Sequence, residues 1–543
     1  MELVARTLSH WPALLAAAVL LPLVGLLGFY VWATPSTWKD SRRKHLPPGP
    51  KGLPFVGSFF DFSDDAAIPR RAQAWALKYG DVFYTKMGGS DWIWLSSPKA
   101  IKDLMDKRSS IYSSRPPAPL SQDVASAGRR QLFMQYGPQY RTVRKISHAL
   151  LNITTSTSYQ PVQDYESKQL MKEILDDPDN FYDYNRRYSA SLIIRITYGY
   201  RLPNWDHPLV PKIYGVLEHF QEMTTPGAFL IETFPSLKAL PEWMVQNWIT
   251  FGKKVFESDH KVYLGLWRDL KEKVENGTAP PCFCKDFMTS DLEKQGMDEL
   301  QAAYQAGGLV EAGAETTSAF LNTFIREMVR NPRVVKAAQE EIDRVIGSDR
   351  LPNFEDEPNL PYVRSIIKEN LRLCPPNKVG MHHATSEDDW YEGHFIPKGS
   401  TVIINWWAVH KNPELYPDPE EFKPERYLNH ELPAAAYLNV ADPYERDHLS
   451  YGAGRRVCPG IHVAEKSMFI NIARMLWSFN FSKKIGEEGK AIEPDARTEK
   501  GWMTVPVRFQ CDLTVRSPKH AEVIRKTFAD AEAKGMEWAF GQR

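Results

Sequence analysis

Between Tyr451 and Gly460 the chain reads Tyr-Gly-Ala-Gly-Arg-Arg-Val-Cys-Pro-Gly, and an apolar pattern with helical spacing begins just after Pro459. Gly452, Gly454 and Gly460 admit positive φ or close backbone approach, and Pro459 suits a helix start, so this stretch is confined to a tight loop feeding a helix. The loop presents one cysteine, Cys458, with Arg455 and Arg456 immediately upstream. Helix N-terminal dipoles and guanidinium groups both favour anionic sulfur, which suits a thiolate acting as metal ligand or nucleophile. The competing reading is a small buried hydrophobe, the usual condition of a lone intracellular cysteine. Other segments decide between the two.

The 543 residues leave room for two or three average domains, or for one large catalytic domain built around a single cofactor. Lys plus Arg and Asp plus Glu both number 67, which removes any global electrostatic case for nucleic acid. Cys282, Cys284, Cys374, Cys458 and Cys511 are odd in number and sparse, which argues against a disulfide scaffold and for a reducing compartment. Cys282 and Cys284 lack the second pair that a zinc site needs and read as exposed loop cysteines.

Trp11 to Trp32 carries no charged residue and is bracketed by aromatic side chains, as expected of a retained transmembrane anchor. A cleavable signal would have a shorter apolar core and a small-residue cleavage site. Lys39, Arg42, Arg43 and Lys44 follow the span, against Glu2 and Arg6 before it, so the positive-inside rule places the rest of the chain in the cytosol. The glycosylation-type triplets at Asn152, Asn276 and Asn480 should then be unused. This gives a short lumenal N-terminus at 1–10, an anchor at 11–32, a basic and proline-rich linker at 33–57 and a catalytic body at 58–543.

Leu46 to Pro54 holds too many prolines and glycines for helix or central strand and reads as a stiff hinge. Asp81 to Leu95 predicts a hairpin and Pro98 to Lys107 a helix, while Ser109 to Arg130 predicts a long loop of the kind that carries function. Helical spacing dominates from Tyr136 to Gly347, short strands return near Thr401 to Asn405, and Ser517-Pro518 opens a terminal helix docking through Ile524, Phe528 and Ala531. The fold class is mainly α with a small β portion.

Asp298 to Arg330 predicts one long buried helix containing Glu311-Ala-Gly-Ala-Glu-Thr-Thr317. A buried acid and two threonines are costly unless partnered, and the plain structural solution is for the threonines to bond back to the preceding turn. Glu369 and Arg372 stand three apart on one helix face, and an exposed pair of this kind contributes only tenths of a kcal/mol.

These segments resemble the cytochrome P-450 family. In its haem-binding loop Gly454, Arg456, Cys458 and Gly460 fill the recurring offsets, and Tyr451 stands where phenylalanine is usual. The resemblance implies the cytochrome P-450 fold and haem b bound through Cys458 as axial iron ligand. It makes Arg144, Arg456 and His383 propionate contacts, with Tyr140 in a position usually held by tryptophan, and leaves Arg455 as a surface charge. Thr316 would support proton delivery during oxygen activation, Glu315 would feed protons from solvent, and Ala312 and Gly313 would leave room over the haem. Glu369 and Arg372, with Arg426 from Pro424-Glu-Arg-Tyr427, would form a buried charge network behind the cysteine.

In style the chain is similar to membrane-anchored fungal members of secondary metabolism. The resemblance implies a monooxygenase of the endoplasmic reticulum membrane, hydroxylating a polyketide, aromatic or terpenoid. Electrons would come from NADPH through a partner cytochrome P-450 reductase, with cytochrome b5 as a further candidate donor. Substrate contacts are expected from Val379, Trp502 and Met503, whose side chains suit an apolar or aromatic molecule. A haem-thiolate isomerase or dehydratase would use the same cysteine without dioxygen, and a non-catalytic haem protein is the third reading. The pairing of Glu315 with Thr316 argues against both.

Overall fold

Asp298 caps the helix that organises the fold, its side chain accepting from the backbone N–H of Gln301, and Asn331-Pro332 closes it. The computed structural model describes Gly25 and residues 40–62, 67–290, 292, 294 and 296–536. In chain order, α1 (Ile68–Tyr79) leads into the hairpin of β1 (Val82–Met87) and β2 (Ser90–Leu95). Helices α2 (Pro138–Leu151), α3 (Gln160–Asp176), α4 (Phe181–Tyr198), α5 (Val210–Thr224) and α6 (Trp248–Glu275) follow. Then come the central α7 (Glu299–Arg330), α8 (Pro332–Val345) and α9 (Pro361–Leu373). Short strands β3 (His383–Ala384), β4 (Asp389–Tyr391), β5 (His394–Ile396) and β6 (Thr401–Ile404) precede α10 (Ile461–Ser478). The chain closes with β7 (Phe479–Lys483), β8 (Cys511–Val515) and α11 (Pro518–Ala533).

With 32 residues, α7 runs about 48 Å, and it is buried on nearly all sides from Gln301 to Val329. Such a helix must offer small residues where a neighbour crosses closely. Gly313 does so: a Cβ there would stand 2.6 Å from the Ile193 side chain on α4, and Ser189 Oγ of α4 donates to the Gly313 carbonyl at 2.7 Å. Gly313 therefore serves helix packing, a correction to its expected part in making room for a cofactor.

The four-stranded sheet runs β1-β2-β6-β3, with β2 and β6 parallel and the other pairings antiparallel. It packs over its own hydrophobic cluster beside the cysteine loop, while the larger core lies among the helices. The terminal helix matches its expectation: Ser517 caps α11, and Ile524, Phe528 and Ala531 are buried, with Phe528 5.7 Å from the Tyr165 ring of α3.

Two local expectations fail. The stretch from Ser109 to Arg130 contains helical turns at Ser109–Tyr112 and Pro119–Val124. Cys282 and Cys284 are buried in the helical core beside Phe283 and Phe287, where desolvation pushes both thiols up, because the apolar Phe283–Met288 turn carries them inward. Among the described residues no helix is long and apolar enough to cross a membrane. Apart from Gly25, the expected N-terminal segment and anchor at 1–32 lie outside the described residues, as do 33–39 of the linker.

Candidate active site

The cysteine loop is built by backbone constraint. Gly454 sits at φ 66°, and a Cβ there would lie 2.1 Å from the Met105 carbonyl oxygen, so only glycine fits. Its N–H donates to Asp106 Oδ1 at 2.7 Å, and the Cys458 N–H donates to the Tyr451 carbonyl at 2.8 Å, closing the loop on itself. The Cys458 side chain reaches a cavity of about 1280 Å³. Burial pushes its thiol up, opposed by the Gly460 N–H and the Arg144 charge. The Tyr451 hydroxyl is buried without a hydrogen-bond partner among the described residues, and burial, with the charges of Glu465 and Cys458, raises its phenol.

Around the same end of the cavity stand guanidinium groups satisfied only by carbonyls. Arg456 Nε donates to Ser113 O at 2.8 Å, its Nη2 donates to Met134 O, and its guanidinium stacks 3.6 Å from the centroid of the Tyr140 ring. Arg144 donates to Val457 O, and Tyr140 Oη donates to Arg455 O at 3.2 Å. Arg455 itself is exposed and donates to the Tyr136 hydroxyl. Arg115 donates to the carbonyls of Leu132 (2.9 Å), Met381 (3.0 Å) and His382 (2.6 Å). His383 Nδ1 lies 2.9 Å from the Tyr112 carbonyl, so that nitrogen carries the proton. Desolvation, then the charges of Arg115 and Arg456, holds this ring well below its usual pKa and therefore neutral.

Desolvation and repulsion by Arg456 pull Arg115 well below the usual guanidinium value, and desolvation brings Arg456 down to about 10. Among the described residues none of Arg115, Arg144 and Arg456 has a carboxylate partner. One buried cation and two half-buried ones in this condition form a receptor for an anion. A haem, with two carboxylates and an iron that takes a thiolate, fits this donor set. Arg115 was not singled out from the sequence, although it is the one charged residue between Ser109 and Gln122.

Helix α7 lines the same cavity, presenting Gly308, Ala312, Thr316 and Phe320 to it at every fourth position. Thr316 Oγ1 donates to the Ala312 carbonyl at 2.8 Å, the back-bond that the plain reading of a buried threonine requires. Glu315 also lines the cavity and accepts from Arg186 Nη2 at 3.1 Å. Desolvation raises its carboxyl, opposed by Arg186. A second acid, Glu311, is held by Arg130 at 2.7 Å, and this pair too was not singled out as a site, since the two residues are 181 positions apart. Trp502 and Met503 line the cavity, brought beside the 376–381 segment by a bridge between Asn377 and Met503. Val379 is a correction: it packs with Trp94 and Ile403 under the sheet and is absent from the cavity wall, because its segment turns that side chain into the apolar cluster.

Behind the loop, Glu369 and Arg372 are fully buried and bonded twice, each contact 2.7 Å. Arg426 Nε approaches Glu369 at 3.4 Å, an ion pair whose geometry falls short of a hydrogen bond. Arg372 also donates to the His410 carbonyl at 2.7 Å, and His410 Nε2 accepts the Leu449 N–H at 2.9 Å. Ser450 Oγ donates to the Leu371 carbonyl at 2.8 Å. Through these links the pair holds the entrance to the cysteine loop.

Residues 47–510 match the family model described as Cytochrome P-450. The chain is 45% identical over 531 residues to cytochrome P-450 monooxygenase verL of Clonostachys rogersoniana, covering 97% of each protein. It is 36% identical to cytochrome P-450 monooxygenase virE of Hypocrea virens, over 95% of this chain and 94% of that protein. A solved zebra fish cytochrome P-450 with abiraterone superposes with a TM-score of 0.64 at 20% identity, covering 83% of this chain and 100% of that one, a likeness of fold.

Proposed function

The chain belongs to the cytochrome P-450 family, and from that premise we propose that it is a haem-thiolate monooxygenase acting on a small apolar molecule of secondary metabolism. The observation that carries this reading is one cavity lined by Cys458, by Thr316, and by one buried and two half-buried arginines, Arg115, Arg456 and Arg144, that have no carboxylate partner among the described residues. Haem bound there supplies the reductive activation of dioxygen and the transfer of one oxygen atom to the substrate. Cys458 would hold its iron through the thiolate, and Arg115, Arg144 and Arg456 would hold its carboxylates, with His383 beside them as a neutral ring. Because Thr316 gives its own hydrogen to Ala312, its oxygen lone pairs are free to hold a water as proton source. Glu315, with its raised carboxyl, delivers protons to that position. Electrons come from an NADPH-dependent cytochrome P-450 reductase or through cytochrome b5. Residues 11–32 anchor the chain in the endoplasmic reticulum membrane with 58–543 in the cytosol.

Reduced protein under carbon monoxide is expected to show the Soret shift of thiolate ligation, and Cys458→Ala to abolish it. An unaltered spectrum in that variant sinks the assignment. With NADPH and reductase, product gaining one oxygen atom is expected to form only when dioxygen is present, and Thr316→Ala to divert electrons to peroxide. Product that continues to form without dioxygen overturns the monooxygenase reading.

A further inference from the structure

Three consecutive carbonyls of α7 each take a side-chain hydroxyl. Thr316 Oγ1 donates to Ala312 O at 2.8 Å, and Ser189 Oγ of α4 donates to Gly313 O at 2.7 Å. The Tyr214 hydroxyl of α5 lies 3.4 Å from Ala314 O, its hydrogen shared with Arg186 O at 3.3 Å. A helical carbonyl keeps a second lone pair after accepting the N–H four residues on, so an added hydroxyl fixes the direction of that peptide group. A buried serine in a helix ordinarily bonds back to its own preceding turn. Ser189 is 1% exposed and reaches across to α7 instead.

The bond falls where α7 most needs it. Gly313 is held to glycine by Ile193, and a glycine inside a helix leaves the adjoining peptide groups less restrained than any other residue would. The peptide group on its N-terminal side carries Ala312 O, which orients the Thr316 hydroxyl, and the one on its C-terminal side carries Gly313 O, which accepts from Ser189. Helix α4 grips the same stretch twice more, through Arg186 on Glu315 at 3.1 Å and Asn185 Nδ2 on Asn322 Oδ1 at 2.8 Å. Thr316 lines the cavity, whereas Ser189 stands behind its wall. We propose that Ser189 is a positioning residue for Thr316: it fixes the Gly313 peptide group and thereby the angle at which the Thr316 hydroxyl faces the cavity. The consequence for oxidation rests on the monooxygenase reading; the hold on Thr316 does not.

The test compares the full-length, haem-loaded protein with Ser189→Ala, Thr316→Ala, the two together, and Ser191→Ala. Ser191 is equally buried on α4, but its hydroxyl donates to Glu166 at 2.9 Å and not to α7. One readout is the infrared stretching band of carbon monoxide bound to the reduced protein, which senses polar groups facing it. Ser189→Ala is expected to shift the band in the same direction as Thr316→Ala, to add nothing once Thr316 is alanine, and Ser191→Ala to leave it in place. Ser189→Cys, with a weaker donor at the same site, is expected to shift it less than Ser189→Ala. The other readout is amide hydrogen exchange by mass spectrometry. Residues 312–317 should exchange about fivefold faster in Ser189→Ala relative to 319–330 of the same helix, the value of one neutral hydrogen bond. An unmoved band in Ser189→Ala, an equal shift in Ser191→Ala, a shift that keeps its full size when Thr316 is already alanine, or unchanged relative exchange overturns the proposal. Neither readout needs turnover, so failure here and failure of the monooxygenase reading are separate results.

Discussion

Glu369→Gln is the substitution that most directly tests how the cysteine loop is held. The wild-type carboxylate accepts two bonds from Arg372 at 2.7 Å each and one from the Lys423 N–H at 2.8 Å, with Arg426 Nε 3.4 Å away. Desolvation acts to lower the Arg372 pKa, and the Glu369 carboxylate more than offsets it. Glutamine preserves the shape but turns an NH₂ group toward a guanidinium donor and leaves two buried or half-buried arginines without their counter-charge. Removing one partner of a buried pair costs about 3–5 kcal/mol, a large share of the roughly 5–15 kcal/mol that holds a domain folded. Unfolding in urea, followed by far-ultraviolet circular dichroism and by the Soret band, measures it. The joint replacement Glu369→Leu with Arg372→Met is expected to recover most of the lost stability, since a well-packed apolar pair substitutes for a buried ion pair. It should still lose haem more readily than wild type, because no donor then reaches the His410 carbonyl that leads to Leu449. A loss under about 1 kcal/mol for Glu369→Gln, the value of an exposed pair, refutes the reasoning.

Gly454→Ala should fail to load haem and lose at least about 2 kcal/mol, since a Cβ meets the Met105 carbonyl at 2.1 Å in a left-handed backbone; normal haem content in the purified variant contradicts this. Gly313→Ala is expected to cost about 1–3 kcal/mol by pressing on Ile193, and Ile193→Ala in the same chain to restore part of it; a purely additive loss in urea denaturation speaks against that contact. Arg115→Met should release haem to apomyoglobin faster by about tenfold or more, and an unchanged transfer rate removes Arg115 from the carboxylate receptor. Burial raises the Asp259 carboxyl from 3.8 to about 6, opposed by Arg130 and His219. The folded state therefore holds a proton that the unfolded chain has released, and this group's contribution to stability falls as pH rises from about 4 to 6. The stability of Asp259→Asn relative to wild type should rise over that window by roughly 2–3 kcal/mol and stay level above it; a difference independent of pH refutes the shift.

Features set by local spacing were legible in the chain. The glycine offsets around Cys458, the start of α7 near Asp298 and its Asn331-Pro332 stop, the hairpin of β1 and β2, and the terminal helix at Ser517-Pro518 each depend on residues a few positions apart, whose φ preferences and helix faces are local properties. Family resemblance then pointed to Cys458 and Thr316, which line one cavity, and to the Glu369–Arg372 pair, which is buried. What lay beyond reach was decided by neighbours distant in sequence. Cys282 and Cys284 are core because an apolar turn rolls them inward, and Val379 packs under the sheet although its segment borders the cavity. Gly313 answers to Ile193, 120 positions earlier on α4.

The charges make the same division most clearly. Nothing in the composition distinguishes Arg115, which meets only carbonyls, from Arg130, which meets Glu311 181 positions away, or from Arg186, which meets Glu315 at 3.1 Å. Their residue types are written in the chain, but whether a buried guanidinium keeps its charge for a ligand or spends it on a carboxylate is a property of the space around it. A Coulomb interaction depends on distance and burial, and tertiary packing alone supplies both.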